Sequence, residues 1–121
     1  MEELIGRLMT KCGLERPVAE RAVGIILDFL RKEGPPERVQ ELMDKMPGAE
    51  ALAAGAAEAQ GGGMFGMGGI MGAANRLMAA GLSMGQVQSV TREVVAYARE
   101  KAGEDAVGEV VGAIPGLGQF V

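Results

Sequence analysis

Hydrophobic residues recur every three or four positions along most of the chain, and no segment alternates cleanly with a period of two. This spacing predicts α-helices and no β-sheet. The first helix is predicted from about Glu2 to Lys11, and Gly13 follows where a C-terminal glycine is expected. A long second helix is predicted from about Arg16 to Glu33. Pro17 suits its first turn because the missing N–H would have no partner there.

Further helices are predicted on both sides of a glycine-rich segment. A short helix covers about Pro36–Met46, and the high helix propensity of Ala49–Ala54 adds another. Ser83 and Gln86 stand three residues apart and form a capping box at the start of a second long helix. The helices predicted after the glycines are Ile70–Ala80, Ser83–Ala102 and Ala106–Ile114.

The chain contains an internal repeat, which is the strongest guide to its fold. A constant shift of 68 positions superposes Gly13-Leu14 on Gly81-Leu82, Phe29 on Tyr97, and Pro47-Gly48 on Pro115-Gly116. Upstream, Arg7-Leu8-Met9 matches Arg76-Leu77-Met78 at a shift of 69. We therefore predict an all-α bundle of six to seven helices, built from two tandem three-helix repeats related by pseudo-two-fold symmetry.

The predicted organisation is a single domain over residues 1–121. Repeat one covers 1–48, an Ala-rich helix and a Gly/Met-rich connector cover 49–69, and repeat two covers 70–121. The two long helices are expected at the centre, with Phe29 and Tyr97 as matched core residues. A chain of this length can bury a modest core by itself.

Composition and charge exclude several functions. The chain has 12 basic and 16 acidic residues, and its basic residues form no cluster, so we expect no nucleic-acid partner. It contains no histidine and one cysteine, Cys12, which falls among apolar positions and is expected in the core. The commonest general base and metal ligand are therefore missing. We predict no enzymatic activity, no catalytic residues, no metal site and no cofactor.

The sequence also carries no predicted targeting or membrane segment. The N-terminus begins Met1-Glu2-Glu3, which is acidic where a signal peptide would be basic. The uncharged stretch Ala59–Asn75 is Gly-rich and too short for a transmembrane helix. We expect a cytoplasmic protein and no membrane partner, because no basic face accompanies the apolar segment.

A Gly-Leu entry to a long helix, followed by a short helix that ends in Pro-Gly, resembles the VcgC/VcgE type of uncharacterised bacterial proteins. The matching residues are Gly13-Leu14 with Pro47-Gly48, and Gly81-Leu82 with Pro115-Gly116. The resemblance covers most of the chain apart from the connector, and a neighbouring family of duplicated three-helix proteins is nearly as similar. Both imply a duplicated helical fold, and neither supplies an activity or functional residues.

Two groups of residues resemble a catalytic site or a phosphate-binding site in composition but lack the surroundings that such a site requires. Glu37, Glu41 and Asp44 share one face of the third predicted helix, but that face is expected in solvent rather than in a buried, pKa-shifted pair. Gly61-Gly62-Gly63 lacks the strand and the Lys-Ser/Thr that a phosphate-binding loop requires. Neither group predicts an active site.

The unusual feature of the connector is that hydrophobic residues accompany its glycines. Met-rich surfaces adapt to varied apolar partners, so we predict a non-catalytic interaction module that contacts another protein or a second copy, as in a homodimer. The predicted contact residues are Met64, Phe65, Met67, Ile70 and Met71. A carrier of a small apolar ligand or lipid between the repeats is the alternative. Copper(I) binding by thioethers of Met64, Met67 and Met71, with Met78 and Met84 beyond, is a remoter one.

Overall fold

A computed structural model of the chain describes residues 2–60, 69–114 and 116–119. These residues form helices joined by short turns and contain no strand, which confirms the predicted all-α class. The helices are α1 (Glu2–Lys11), α2 (Arg16–Glu33), α3 (Pro36–Asp44), α4 (Ala49–Gln60), α5 (Gly69–Ala79), α6 (Met84–Ala102) and α7 (Glu104–Ala113). A 3-10 turn over Leu117–Gln119 follows α7.

The helix ends follow local signals in the sequence closely. The predicted bounds of α1 and α2 match the structure, and α6 begins one residue after the predicted Ser83, which serves as its N-cap. The prediction for α3 was two residues too long. The Lys45 N–H donates to the carbonyls of both Glu41 and Leu42, and the Met46 N–H donates to that of Met43. This tightening of the chain ends the α-helix, although the Met46 side chain stays buried.

Two helices extend beyond their predicted bounds, and a third is displaced. α4 continues to Gln60 rather than ending at Ala54, because the alanine-rich composition that favours a helix continues. α7 begins at Glu104, two residues before the predicted start, with Gly103 as its N-cap. α5 begins at Gly69, which the sequence had placed in the connector, and ends at Ala79.

The core lies around α2 and α6, as predicted. α2 packs against α1, α3, α4, α5 and α6, and α6 packs against α1, α3, α5 and α7 as well. Phe29 and Tyr97, the two predicted core residues, are both buried. Nine consecutive residues, 22–30, are buried all round α2. This pattern arises because helices cover α2 on every side along that stretch.

The closest packing joins α4 to α2. Ala49, Ala53 and Ala56 of α4 are buried, and Gly24 of α2 faces the backbone of α4. A Cβ atom built at Gly24 would overlap the carbonyl group of Leu52. Small residues on both helices therefore allow their backbones to approach closely.

The capping box at the start of α6 is confirmed. The Gln86 N–H donates to the Ser83 hydroxyl at 3.2 Å, and the Ser83 N–H donates to Gln86 Oε1 at 2.9 Å. We expect Ser83→Ala to lower the free energy of unfolding by about 1 kcal/mol, because the Gln86 N–H loses the hydroxyl that accepts its hydrogen bond. Ser89→Ala, inside the same helix, is the control in urea denaturation. Equal effects of the two substitutions would contradict a stabilising cap.

Candidate interaction surface

The structure describes only part of the predicted contact site. Met64, Phe65 and Met67 lie outside the described residues. Ile70 is the second residue of α5, but its side chain is outside the described part of the chain. Met71 lies on α5 and is 55% exposed, the largest exposure among the described large hydrophobic residues. Of the five predicted contact residues, Met71 is therefore the one whose side chain the structure describes, and its neighbours define the rest of the surface.

α5 has a buried face and an outer face that differ in composition. Ala73, Ala74 and Leu77 are buried against the core. Met71, Asn75 and Met78 are exposed and follow one another at helical spacings of four and three, so they share the opposite face. Two further exposed residues, Met84 and Gln88, lie one turn apart at the start of α6. We call these five residues, Met71, Asn75, Met78, Met84 and Gln88, the charge-free surface.

The name reflects a marked depletion of charge in this part of the chain. Residues 59–91 contain one charged residue, Arg76, although 28 of the 121 residues are charged overall. The segment 9–23, which lies 68 positions before residues 77–91, contains five charged residues. The depletion is therefore specific to the second half of the chain.

Arg76 does not place its charge on the outer face of α5. Its Nη1 donates to Asp28 Oδ2 of α2 at 3.1 Å, and its Nη2 donates to the Ala56 carbonyl of α4 at 3.4 Å. The Arg76 side chain is 19% exposed, and Asp28 is fully buried. Because the guanidinium is turned toward α2 and α4, the outer face of α5 is left without charge.

The sequence analysis did not identify Asp28, the buried acid that holds the Arg76 side chain against α2. Besides Arg76, Asp28 forms ion pairs with Lys32 Nζ at 3.1 Å and with Arg31 Nη2 at 3.4 Å, both on its own helix. A buried carboxylate needs such partners because its desolvation is costly. The signal in the sequence is an acid between Leu27 and Phe29 in an otherwise apolar run. Through Asp28 and Gly24, α2 holds both helices that flank the connector.

α1 and the first turn of α2 carry several charged residues on their surface. α1 exposes one methionine, Met9, but Arg7 of the same helix pairs with Glu3 and with Glu100 of α6. Arg16 Nη2, in the first turn of α2, lies 2.6 Å from Glu2 Oε2. Exposed residues of α1 and of the first turn of α2 therefore form ion pairs, whereas the residues of the charge-free surface carry no charge.

An apolar crevice lies between α2, α5 and α6. Its cavity volume is about 10 Å³, which is about what one water molecule requires. Pockets for small organic ligands are much larger, roughly 300 to 1,000 Å³. The lining residues are Ile26, Phe29, Ala73, Ala74, Leu77, Val87, Thr91 and Leu117.

The residues considered for catalysis, metal binding and thiol chemistry have the following surroundings. Glu37, Glu41 and Asp44 are exposed, and Arg38 Nη1 lies 3.1 Å from Glu41 Oε1. Cys12 is buried, and this burial, with Glu93 nearby, raises the pKa of its thiol.

Over residues 2–60, 69–114 and 116–119, no group of three or more His, Cys, Asp or Glu side chains is placed to hold a metal ion. None of the described helices has the length and apolar character needed to cross a bilayer.

Comparison with known proteins adds no relative. No family model matches the chain, and no curated protein or solved structure is significantly similar to it. The resemblance to the VcgC/VcgE type therefore stays a prediction based on the Gly-Leu and Pro-Gly motifs. Functional inference rests on the geometry and chemistry of the charge-free surface.

Proposed function

We propose that this protein is a non-catalytic helical interaction module that self-associates through the charge-free surface. The carrying observation is that the outer face of α5 has no charge, while the single charged residue of the helix, Arg76, pairs with buried Asp28. Connector residues Met64, Phe65 and Met67, with Ile70, are proposed to extend the same contact.

The composition of this surface suits a protein contact. The cores of protein interfaces are depleted in Lys, Glu and Asp and enriched in Met. Met71, Met78 and Met84 expose 55%, 39% and 47% of their surface, so association would remove apolar area from water. Asn75 and Gln88 can hydrogen-bond across a contact without the desolvation cost of a full charge. A purely solvated face would require none of this depletion.

The repeat hypothesis supports the view that the methionines form one patch. We propose that α1–α3 and α5–α7 are repeats related by a pseudo-two-fold axis. The bounds of α2 and α3, shifted by 68, give 84–101 and 104–112, close to those of α6 and α7. Contacts also exchange between the halves, since α1 packs on α6, α5 packs on α2, and α3 packs on α7. Gly13 and Gly81, which end equivalent helices, both have positive φ, at 69° and 112°.

Under this symmetry, Met71 and Met84 are expected to be neighbours. Glu2 corresponds to Met71 at a shift of 69, and Arg16 corresponds to Met84 at a shift of 68. Glu2 and Arg16 form an ion pair between α1 and α2. Their counterparts are therefore expected to be neighbours between α5 and α6, with apolar contact in place of the ion pair. The charge-free surface then spans the two helices as one continuous patch.

The alternatives receive less support. A carrier of a lipid or small apolar ligand requires a large cavity, whereas the crevice between α2, α5 and α6 admits about one water. Copper(I) binding would need several thioethers around one ion. Of the three methionines predicted for it, Met64 and Met67 lie outside the described residues, so copper(I) binding stays a prediction. The interaction module is therefore the function that the surface favours.

The direct test replaces Met71, Met78 and Met84 with Ser together. We expect association to be lost, because the apolar area that drives it is removed, while helicity is unchanged because all three side chains are exposed. Sedimentation velocity over a range of concentrations measures the association, and circular dichroism measures the helicity. A second variant, with Ser at positions 64, 65 and 67, tests the connector in the same way.

Met9→Ser is the matched control, because Met9 and Met78 are both 39% exposed and occupy equivalent positions of α1 and α5. This variant is expected to associate like the unmodified protein. Association that survives the loss of Met71, Met78 and Met84 would contradict the proposed function.

A further inference from the structure

On α6, the charge-free surface is followed by two arginines that have no ion pair within the described residues. Arg92 and Arg99 are exposed on α6, and no acidic side chain of the described residues pairs with them. Most of the other basic side chains in the described residues form ion pairs with acids. These are Arg7, Lys11, Arg16, Arg31, Lys32, Arg38, Arg76 and Lys101. Arg92 and Arg99 are seven positions apart, which places them on one face of the helix, about 10 Å apart along its axis.

These arginines continue the line that begins with Met84. Met84, Gln88 and Arg92 follow at intervals of four residues, so they lie along one edge of α6. The acids of α6 occupy the opposite edge, where Glu93 pairs with Lys11 and Glu100 pairs with Arg7 of α1. The basic edge is thus free of acids and is contiguous with the charge-free surface.

The equivalent edge of α2 is covered by another helix. Gly24 and Asp28 correspond to Arg92 and Ala96 at a shift of 68, and both are buried on α2, Gly24 against α4 and Asp28 beside Arg76 of α5. On α6, Arg92 is exposed and Ala96 is half-buried, so the described residues leave this edge open. In the first half of the chain, α4 therefore covers this edge of α2. In the second half, the described residues leave the corresponding edge of α6 uncovered, and that edge is basic.

A complementary acidic pair lies on α3 of the same chain. Glu37 and Asp44 are exposed and, like the two arginines, are seven residues apart on one helix. They lie opposite the buried face formed by Val39, Leu42 and Met43. Asp44 accepts a hydrogen bond from Gln40 Nε2 at 3.0 Å, and neither acid has a basic partner in the described part of the structure.

We propose that a second copy of this chain covers the basic edge of α6, with its Glu37 and Asp44 opposite Arg92 and Arg99. The two contacts are reciprocal in a two-fold dimer, as closed homodimers require. This inference rests on the proposed function. Exposed ion pairs add little affinity, so the charge-free surface supplies the driving force and the four charges fix the register.

Charge reversal on each side gives a direct test with the full-length protein. One variant carries Arg92→Glu and Arg99→Glu, and the other carries Glu37→Arg and Asp44→Arg. Each variant alone would place like charges together, so we expect its dimer Kd to rise by roughly a hundredfold or more. Mixed together, the two variants have opposite charges at both contacts and should form a heterodimer of near-native affinity. Native mass spectrometry distinguishes the heterodimer from either homodimer.

The controls separate this inference from the proposed function. Arg21→Glu reverses another exposed arginine without an ion pair, on α2, and should leave association unchanged. Homodimers that persist in either reversal variant, or variants that fail to associate when mixed, would overturn the α3–α6 pairing. In both cases, the serine variant of the methionines decides the proposed function independently. A monomeric unmodified protein would overturn both proposals.

Discussion

Asp28→Ala is expected to lower the free energy of unfolding by about 3 kcal/mol, because removing one partner of a buried ion pair leaves the other uncompensated. Asp28 is fully buried, and its Oδ2 forms ion pairs with Lys32 Nζ and Arg76 Nη1, each at 3.1 Å. Lys32 can return to solvent, but the Arg76 side chain is only 19% exposed. Urea denaturation followed by circular dichroism measures the change.

The exposed pair between Arg38 and Glu109 is the control for this prediction. It also joins two helices, α3 and α7, with Arg38 Nε 2.8 Å from Glu109 Oε1, but both side chains are about half exposed. Glu109→Ala should therefore cost less than about 1 kcal/mol. An Asp28→Ala variant that loses no more stability than Glu109→Ala would contradict the role given to the buried carboxylate.

A double variant tests whether the cost comes from the unpaired charge. Asp28→Leu with Arg76→Met removes both charges and keeps apolar volume. Buried ion pairs replaced as a whole by packed apolar residues are often tolerated. We expect the double variant to be more stable than Asp28→Leu alone. If it is less stable, the effect of Asp28 comes from packing rather than from the charge of Arg76.

Gly24→Ala is expected to have the next largest effect, lowering the free energy of unfolding by about 2 kcal/mol through overpacking. The added Cβ would overlap the carbonyl of Leu52, and a backbone atom cannot rotate away as a side chain can. α4 would have to move off α2 along its length. The change is again measured by urea denaturation.

Gly55→Ala is the matched control for Gly24→Ala. Gly55 lies in α4, is exposed, and has open space where its Cβ would stand. Because alanine favours a helix over glycine, this variant should gain about 0.5 to 1 kcal/mol. Opposite signs for the two substitutions would support the close α2–α4 approach, whereas a neutral Gly24→Ala would contradict it.

The helices could be predicted from the sequence because their ends are set by nearby residues. Pro17 in a first turn, the Ser83 capping box and the glycine at position 103 each act within a few residues. The predicted helix ends were wrong where several weak local preferences together decide which residue is the last of the helix. α3 ends at Asp44 instead of Met46, and α4 extends six residues beyond Ala54.

The site could be predicted only in part, because its character depends on contacts between distant segments. Met71 was identified and is exposed, and charge depletion in residues 59–91 was available as a signal for extending the surface to Met78 and Met84. The inward direction of Arg76 was not predictable, since its partners Asp28 and Ala56 are 48 and 20 residues away in the chain. Periodicity places Arg76 on a helix but does not identify a buried acid opposite it.

These observations link the stability of the protein to its proposed contact. The buried pair of Asp28 with Arg76 fixes α5 on α2 and also removes the one charge from the segment that forms the charge-free surface. Arg76→Gln should therefore weaken the fold without adding charge to that surface. The proposed contact then depends on exposed methionines, which can be replaced without disturbing the core.

Native mass spectrometry of the protein purified from its own host, beside a denatured sample, tests the central claim most directly. The account predicts a mass of two or more subunits of 12.5 kDa each, with no additional mass that disappears on denaturation. A strictly monomeric protein would contradict self-association. A monomer with extra mass that is lost on denaturation would instead establish a bound ligand, and its value would distinguish a lipid from copper.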